Sequence, residues 1–438
     1  MKIEELLART DFNAIGHEMY NLIVELYPIC RSITGDGVRS TLDILERGID
    51  LAREQVPSGT RVFDWTIPKE WNIADAWVKN AAGERVIDFK RSNLHVVQYS
   101  TPIRATVSRA ELMAHLHSLP EHPQWIPYRS SYYAERWGFC IEHDRLQQLN
   151  EETYEVCIDS ILSDGHLTYG ELVIPGASED EILFSCHICH PSLCNDNLSG
   201  IALTAQLARL LAGVELHHSC RFLFLPGTIG AITWLSRNET RAQRIRHGLV
   251  VACVGDNGKF CYKRSRRGSA MIDRAAEHVL RHAGTDFEIR DFTPYGYDER
   301  QYCSPGFDLP VGSLTRTPNG FYPQYHTSAD DLDFVAPTNL AQSLRRYLEV
   351  IDVLENDGGY ANMNPKCEPQ LGKRGLYRTL GGFADAERAQ MAMLWVLNLS
   401  DGDHHLLDIA ERAGIDFATI RQAAQLLVGH GLLEKRSA

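Results

Sequence analysis

The sequence predicts an α/β fold, a parallel or mixed sheet with helices on both faces, extended by a small inserted β module and a C-terminal winged helix-turn-helix. Three observations carry this reading. EILFSCHI, CRFLFLP and GLVVACVG are compact apolar runs of the kind that become buried strands. NLSGIALTAQLARLLAG, which lies between the first two, has the spacing of an amphipathic helix. Strand, helix, strand, helix, strand is the order that builds a parallel sheet covered on both sides.

Taken in order, residues 12 to 55 read as helical, with Met19, Leu22, Ile23 and Leu26 at helical spacing and an interruption at the Gly-rich turn RSITGDGVRS. From about Thr60 to Gly176 the texture changes to short alternating runs, RVFDWTI, NLHVVQY and YEVCIDSIL, separated by Pro, Gly and Asn. The division expected is therefore 12–59 plus 177–357 for the α/β domain and 60–176 for the inserted β-rich module. DGGYANMNPKCEP opens a linker over 358–384, and 385–438 holds three helical segments, the last two reading as helix, turn, helix and a short wing.

A chain of 438 residues can bury a full core and carry smaller modules beside it. Its 44% apolar and 23% charged residues are those of a globular protein, and no apolar run is long enough to span a membrane. The first residues, MKIEELLARTDFNAIG, are acidic where a signal peptide is basic and then apolar, so a cytoplasmic location is expected. Eleven cysteines scattered over the chain argue for reduced thiols rather than a disulfide framework. A formal charge of -13 disfavours nucleic acid and anionic membranes as partners and suits a small or peptide-like substrate.

The most informative segment is SCHICHPSLCNDNLSGIA, which ends a buried strand and opens a helix. Parallel sheets place ligands at the carboxyl ends of their strands. His187 offers an imidazole there and Asp196 a carboxylate just before the helix, both ordinary zinc ligands. Read singly, each has a plainer explanation, a packed histidine and a helix cap.

Together with the rest of the chain the segment resembles the co-catalytic zinc aminopeptidases, in which a strand-end His is followed by Asp-Asn-x-Ser-Gly. DNLSG stands here at Asp196 to Gly200. The resemblance implies that His187, Asp196, Asp256 at the end of a later strand, and His326 in PQYHTSADDLDFV hold one or two zinc ions, with Asp196 bridging. ICRSITGDGVR, HICHPS, PGTIGAI, YGYDERQY and YHTSADDLDF look more narrowly like a branch named for polysaccharide biosynthesis with an aminopeptidase-like domain. That branch carries an inserted β domain and a C-terminal winged helix, so the resemblance implies a zinc-aminopeptidase-like sheet for this chain.

The pattern breaks after the second strand. The family has Glu-Glu-x-Gly, the first glutamate a general base and the second a ligand; alignment on Gly230 puts Gly227 and Thr228 there. Gly cannot take a proton from water, and a neutral Thr hydroxyl is a poor zinc ligand. Cys189 replaces the family's Asp two residues after the first His, which leaves His190 as a local substitute ligand or base.

In YGYDER, Asp298, Glu299 and Arg300 read either as a helix cap or as site residues; with the usual base missing, Glu299 leads as its replacement, with Asp298 beside it and Arg300 facing substrate. Lys263, Arg264, Arg266 and Arg267 form a basic run that is either a solvated turn or a pocket for a carboxylate or phosphate. Tyr132, Tyr133, Trp137 and Phe139 are core of the inserted module or a wall over the site. Cys186 and Cys189 form a CxxC without a second pair, so a redox or structural-zinc role is disfavoured.

Residues 385–438 have eight acids against five bases, and the recognition helix one Arg, so a protein contact or homo-oligomer through this module is favoured over DNA. The function expected is a zinc-dependent aminopeptidase-like hydrolase of an amide bond, impaired because the base position is Gly227. The alternative is a catalytically decayed binding or scaffold protein on the same fold.

Overall fold

The computed structural model describes residues 1–376 and 383–436. Part of the expected linker, 377–382, and the last two residues of the C-terminal module lie outside the described residues.

The main sheet has eight strands: β1 (Ala52–Pro57), β2 (His166–Ile174), β3 (Ser178–His187), β4 (His218–Leu225), β5 (Ile245–Val250), β6 (Phe260–Lys263), β7 (Phe287–Arg290) and β8 (Val311–Thr315), in the spatial order β1-β2-β4-β3-β5-β8-β6-β7. The centre, β4-β3-β5-β8, is parallel, while β1 and β2 are added antiparallel on one side and β6 runs antiparallel to β8 on the other. The sheet is thus mixed. The apolar runs read from the sequence are its buried core: Leu183, Phe184, Phe222, Phe224 and Leu249 have no exposed surface.

Three boundaries differ from the sequence reading. AREQVP, read as the end of a helical region, is strand β1, and its mostly exposed or half-buried residues, with only Val56 buried, suit the sheet edge it occupies. HLTYGELVI, placed in the inserted module, is β2 and joins the main sheet between β1 and β4. GYAN, read as linker, is a strand pairing with both Asp401–His405 and Leu433–Lys435 of the winged helix. In each case tertiary pairing outweighs local composition.

The helix Ser199–Leu211 is buried on every side through Ala208 rather than amphipathic. It lies between the sheet and the helices Phe12–Leu26 and Pro337–Asn356, so water touches only its end. Thr204 and Gln206 are buried with it.

The inserted module is built on a four-stranded antiparallel sheet, Arg85–Asp88, Glu70–Lys79, Thr153–Ser163 and Ile103–Ser108. Its apolar face shares one core with Leu223, Leu225, Trp234 and Val250 of the main domain. Segment 126–128 is clamped to the loop 326–328: Tyr128 N donates to His326 O at 2.8 Å, Ser328 N to Ile126 O at 2.8 Å, and Pro127 bridges Thr327.

The C-terminal module has helices Phe383–Leu399, Leu406–Ala413 and Phe417–Gly429 and shares the other core, with Ile420 and Leu427 meeting the cluster of Leu344 and Val353. Arg421, the one Arg of the expected recognition helix, is buried and pairs with Asp352 of the helix Pro337–Asn356. Arg274 crosses the same junction to Asp408 and Glu411, at 2.6 Å each. None of the described helices is long and apolar enough to cross a membrane.

Candidate functional site

The carboxyl ends of the parallel strands β3, β4, β5 and β8 open on one side of the sheet. His187 is the last residue of β3, and its backbone carbonyl accepts from Asn197 Nδ2 at 3.2 Å. The chain then turns through Cys194–Leu198, where Asp196 and Asn197 leave helical geometry before the buried helix begins. This turn is held from below. Asp330 accepts from Asn195 N at 2.6 Å and Asp196 N at 3.0 Å, and its own carbonyl accepts from Cys194 N. Burial and the nearby Asp196 charge push the Asp330 carboxyl up to about 8.

Four side chains converge on the fully buried Asp196 carboxylate. His187 Nε2 lies 2.9 Å from Oδ1 and Tyr297 donates its hydroxyl to the same oxygen at 3.0 Å; His326 Nε2 lies 3.0 Å and His190 Nδ1 3.3 Å from Oδ2. Burial alone would raise this carboxyl, but His190, His187 and His326 hold it well below the ordinary range. Burial also lowers His187 and His326, which favours neutral imidazoles, the form that binds a metal.

The ligand atoms of His187, His190 and Asp196 all lie within 4.8 Å of one another. Tetrahedral zinc bonds of about 2.1 Å place donors roughly 3.4 Å apart, so this set fits a divalent ion without large rearrangement. His326 touches the same carboxylate and completes the group. Tyr297 stacks on His187 with ring centres 4.9 Å apart, and Tyr325 stacks on His326 at 3.9 Å. Both rings fix imidazole orientation as outer supports do in metal sites.

His187, Asp196 and His326 are thus together, and His190, flagged only as a substitute, belongs with them. Asp256 is placed otherwise. Its carboxylate accepts from Gly258 N at 2.9 Å, Thr317 N at 3.2 Å, Thr317 Oγ1 and Asn195 Nδ2, so it braces the floor through Asn195 and does not line the cavity.

That cavity, of about 320 Å³, is bounded by His187, His190, His326, Gly227, Thr228 and Asp298, with Tyr132, Tyr133 and Trp65 contributed by the inserted module. Tyr132 and Tyr133 are therefore a wall of the site, whereas Trp137 stacks on His115 and Phe139 is core. Gly227 faces the metal-type cluster: a Cβ there would sit 3.3 Å from His187 Cβ and 3.4 Å from Cys189 Sγ. Cys189 accepts from Gly227 N at 3.3 Å, and burial pushes its thiol up to about 12. Cys186 is likewise a buried free thiol.

Asp298 and Glu299 diverge. Asp298 accepts from Thr228 N at 2.7 Å and lines the cavity, and burial raises its carboxyl to about 7. Glu299 turns away to pair with Lys263 at 2.9 Å, so it is not poised over the cluster as expected. Arg300 reaches Thr228 Oγ1 at 3.3 Å and is not among the residues lining the cavity. Arg264 is satisfied by Glu277 and Asp291, and Arg266 and Arg267 by Asp308, all outside the cavity. The sequence reading missed Tyr297, Tyr325 and Asp330. Their signal was adjacency, since each lies within four residues of a residue already singled out.

Residues 20–357 match the family described as a domain of unknown function, DUF4910, and residues 358–435 match a winged helix-turn-helix. A protein of Clostridium acetobutylicum, provisionally named for polysaccharide biosynthesis with an aminopeptidase-like domain, is 54% identical over 419 residues, covering 96% of each chain. The crystal structure of a provisionally named peptidase from Clostridium acetobutylicum superposes with a TM-score of 0.94 at 51% identity, over 99% of both chains. The zinc aminopeptidase of Bacillus subtilis shares the fold alone, with a TM-score of 0.56 at 12% identity over 77% of this chain and 94% of its own. The chain accordingly belongs to the DUF4910 family, with an aminopeptidase-like α/β domain and a C-terminal winged helix.

Proposed function

We propose that the chain is a zinc-dependent hydrolase of an amide bond in a small or peptide-like substrate, with zinc held by His187, His190, Asp196 and His326 and Asp298 as the proton acceptor. The observation that carries the reading is the position of Asp298. Its carboxylate enters the cavity beside Gly227 and Thr228, where the family's glutamates are missing, and one of its oxygens is fixed by Thr228 N.

Bound there, zinc supplies Lewis-acid polarisation of the scissile carbonyl and makes water a better nucleophile. The chain's own residues do the rest. Asp298, with a carboxyl near 7, takes the proton from attacking water and returns it to the departing amine, so that a C–O bond forms as the C–N bond breaks. Tyr297 and Tyr325 hold the imidazoles. Trp65, Tyr132 and Tyr133 wall the cavity and limit it to a small acyl or aminoacyl group.

Zinc content and turnover of aminoacyl anilides by the purified protein and by Asp298→Asn test the proposal. Equal turnover by both proteins would remove Asp298 from its role. A second reading, a binding protein on this fold, is favoured by the vacant side chain at Gly227 and the neutral one at Thr228. Stoichiometric zinc with no turnover of any amide would establish that reading instead.

A further inference from the structure

The turn 295–299 separates two cavities. Gly296 and Asp298 line the one at Asp196, Tyr295 and Glu299 line a second of about 500 Å³, and Tyr297 borders both. The second cavity holds Lys263, Arg290, Thr293, Asn319 and the rings of Tyr295 and Phe321. Those rings are unusually open, Tyr295 being 76% and Phe321 65% exposed. Arg290 places its guanidinium 3.9 Å over Phe321, which fixes that ring at the rim.

Deeper in, Lys263 Nζ pairs with Glu299 Oε1 at 2.9 Å and with the carbonyl of Tyr295 at 2.7 Å. Gly296 makes room for this pair, since a Cβ there would lie 2.2 Å from Glu299 Oε1. The other carboxylate oxygen, Oε2, is buried and has no hydrogen-bond partner among the described residues, in a side chain only 1% exposed. A buried acceptor left unpaired is costly, and such an atom beside a cavity calls for a donor from a ligand.

We infer that this second cavity is a saccharide subsite, and that the amide cleaved at the first cavity is attached to a hydroxyl-rich ring; the inference rests on the hydrolase reading for the cleavage and on the cavity alone for the binding. A sugar ring has the two surfaces required. Its C–H face lies on the exposed aromatic rings, and its O–H edge donates to Glu299 Oε2 while accepting from Lys263 and Asn319. Glu299 and Asp291 are offset by Lys263 and Arg290 in the same lining, so the cavity favours a ligand with hydroxyls and an apolar face over a purely anionic one. Tyr297 lines both cavities, so a ligand in one borders the other.

The test is saturation-transfer NMR on the full-length protein with N-acetylglucosamine, glucosamine and glucuronic acid, beside zinc content and anilide turnover. At least one sugar should show transfer to its ring C–H protons, and Tyr295→Ala and Phe321→Ala should each weaken it about fivefold, as loss of one stacking ring implies. Both side chains are exposed, so folding is preserved, and zinc content should not change. No transfer from any of the three sugars, or transfer indifferent to both substitutions, overturns the subsite. Sugar binding without turnover upholds the subsite and refutes only the hydrolase reading, while turnover without sugar binding refutes only the subsite.

Discussion

The ends of β3 and β4 lie side by side in parallel register, with His187 opposite Leu225, and both strands deliver their chains to the same cavity. At the β3 end the chain supplies His187, His190 and Asp196, three donors within ten residues of sequence. At the β4 end it supplies Gly227 and Thr228, with nothing to bind an ion or accept a proton. The carboxylate that fills this gap comes from the turn after β7, where Asp298 is oriented by the Thr228 amide. A backbone N–H at the depleted end therefore orients a side chain from elsewhere.

That comparison can be broken at either end. The largest effect is expected at Asp196, on which three imidazoles and a tyrosine converge: Asp196→Ala should lower zinc affinity at least about a hundredfold, read by chelator competition and elemental analysis. Retention of zinc would place the metal elsewhere. Next, Asp298→Asn should cost about 10² to 10⁴ in kcat and leave zinc content unchanged. The wild-type rate should climb as pH rises through about 7, because the carboxyl is protonated and useless as a base below that value, and the variant should lose this limb.

The same shift has a sign for stability. The folded state keeps a proton that the unfolded chain, at its ordinary 3.8, has released, so this group's contribution is full below that value and is lost as pH rises through about 7. Gly227→Glu sharpens the comparison from the other end. Its Cβ would stand 3.3 Å from His187 Cβ and 3.4 Å from Cys189 Sγ, so His187 must give by a few tenths of an ångström; with that shift, restoration of a base there should raise turnover about tenfold and make it less dependent on Asp298. No gain would mean that the β4 end is no longer shaped for chemistry. The smallest effect is expected from replacing Arg264, Arg266 and Arg267 together by Ala. They pair with Glu277, Asp291 and Asp308 on an exposed surface, so kcat/KM should change less than about twofold for anionic and neutral substrates alike. A selective loss for anionic substrates would restore the anion-pocket reading of that run.

What was legible in the sequence follows the range of the forces involved. His187, Asp196 and the strands beneath them could be read because a buried strand and the turn that ends it are written in one short stretch. β1 could not, since AREQVP is polar and becomes a strand only by pairing with β2. The choice between Asp298 and Glu299 was beyond reach for a similar reason. They are adjacent in sequence, and which one meets the cluster is fixed by Thr228 N on one side and Lys263 on the other. For Asp256, strand-end position alone does not say that Thr317 and Gly258 bond to its oxygens.

The clamp between 126–128 and 326–328 has a consequence for how the site is made. His326 approaches Asp196 on a loop stapled by backbone hydrogen bonds to a module that is synthesised some two hundred residues earlier. The turn that carries Asp196 depends on the same late stretch, because Asp330 holds the amides of Asn195 and Asp196, so the carboxylate and the third imidazole take their places together. A chain that stops short of residue 326 would lack His326 and Asp330 together, so the Asp196 carboxylate would lose a neighbour and its support in one step.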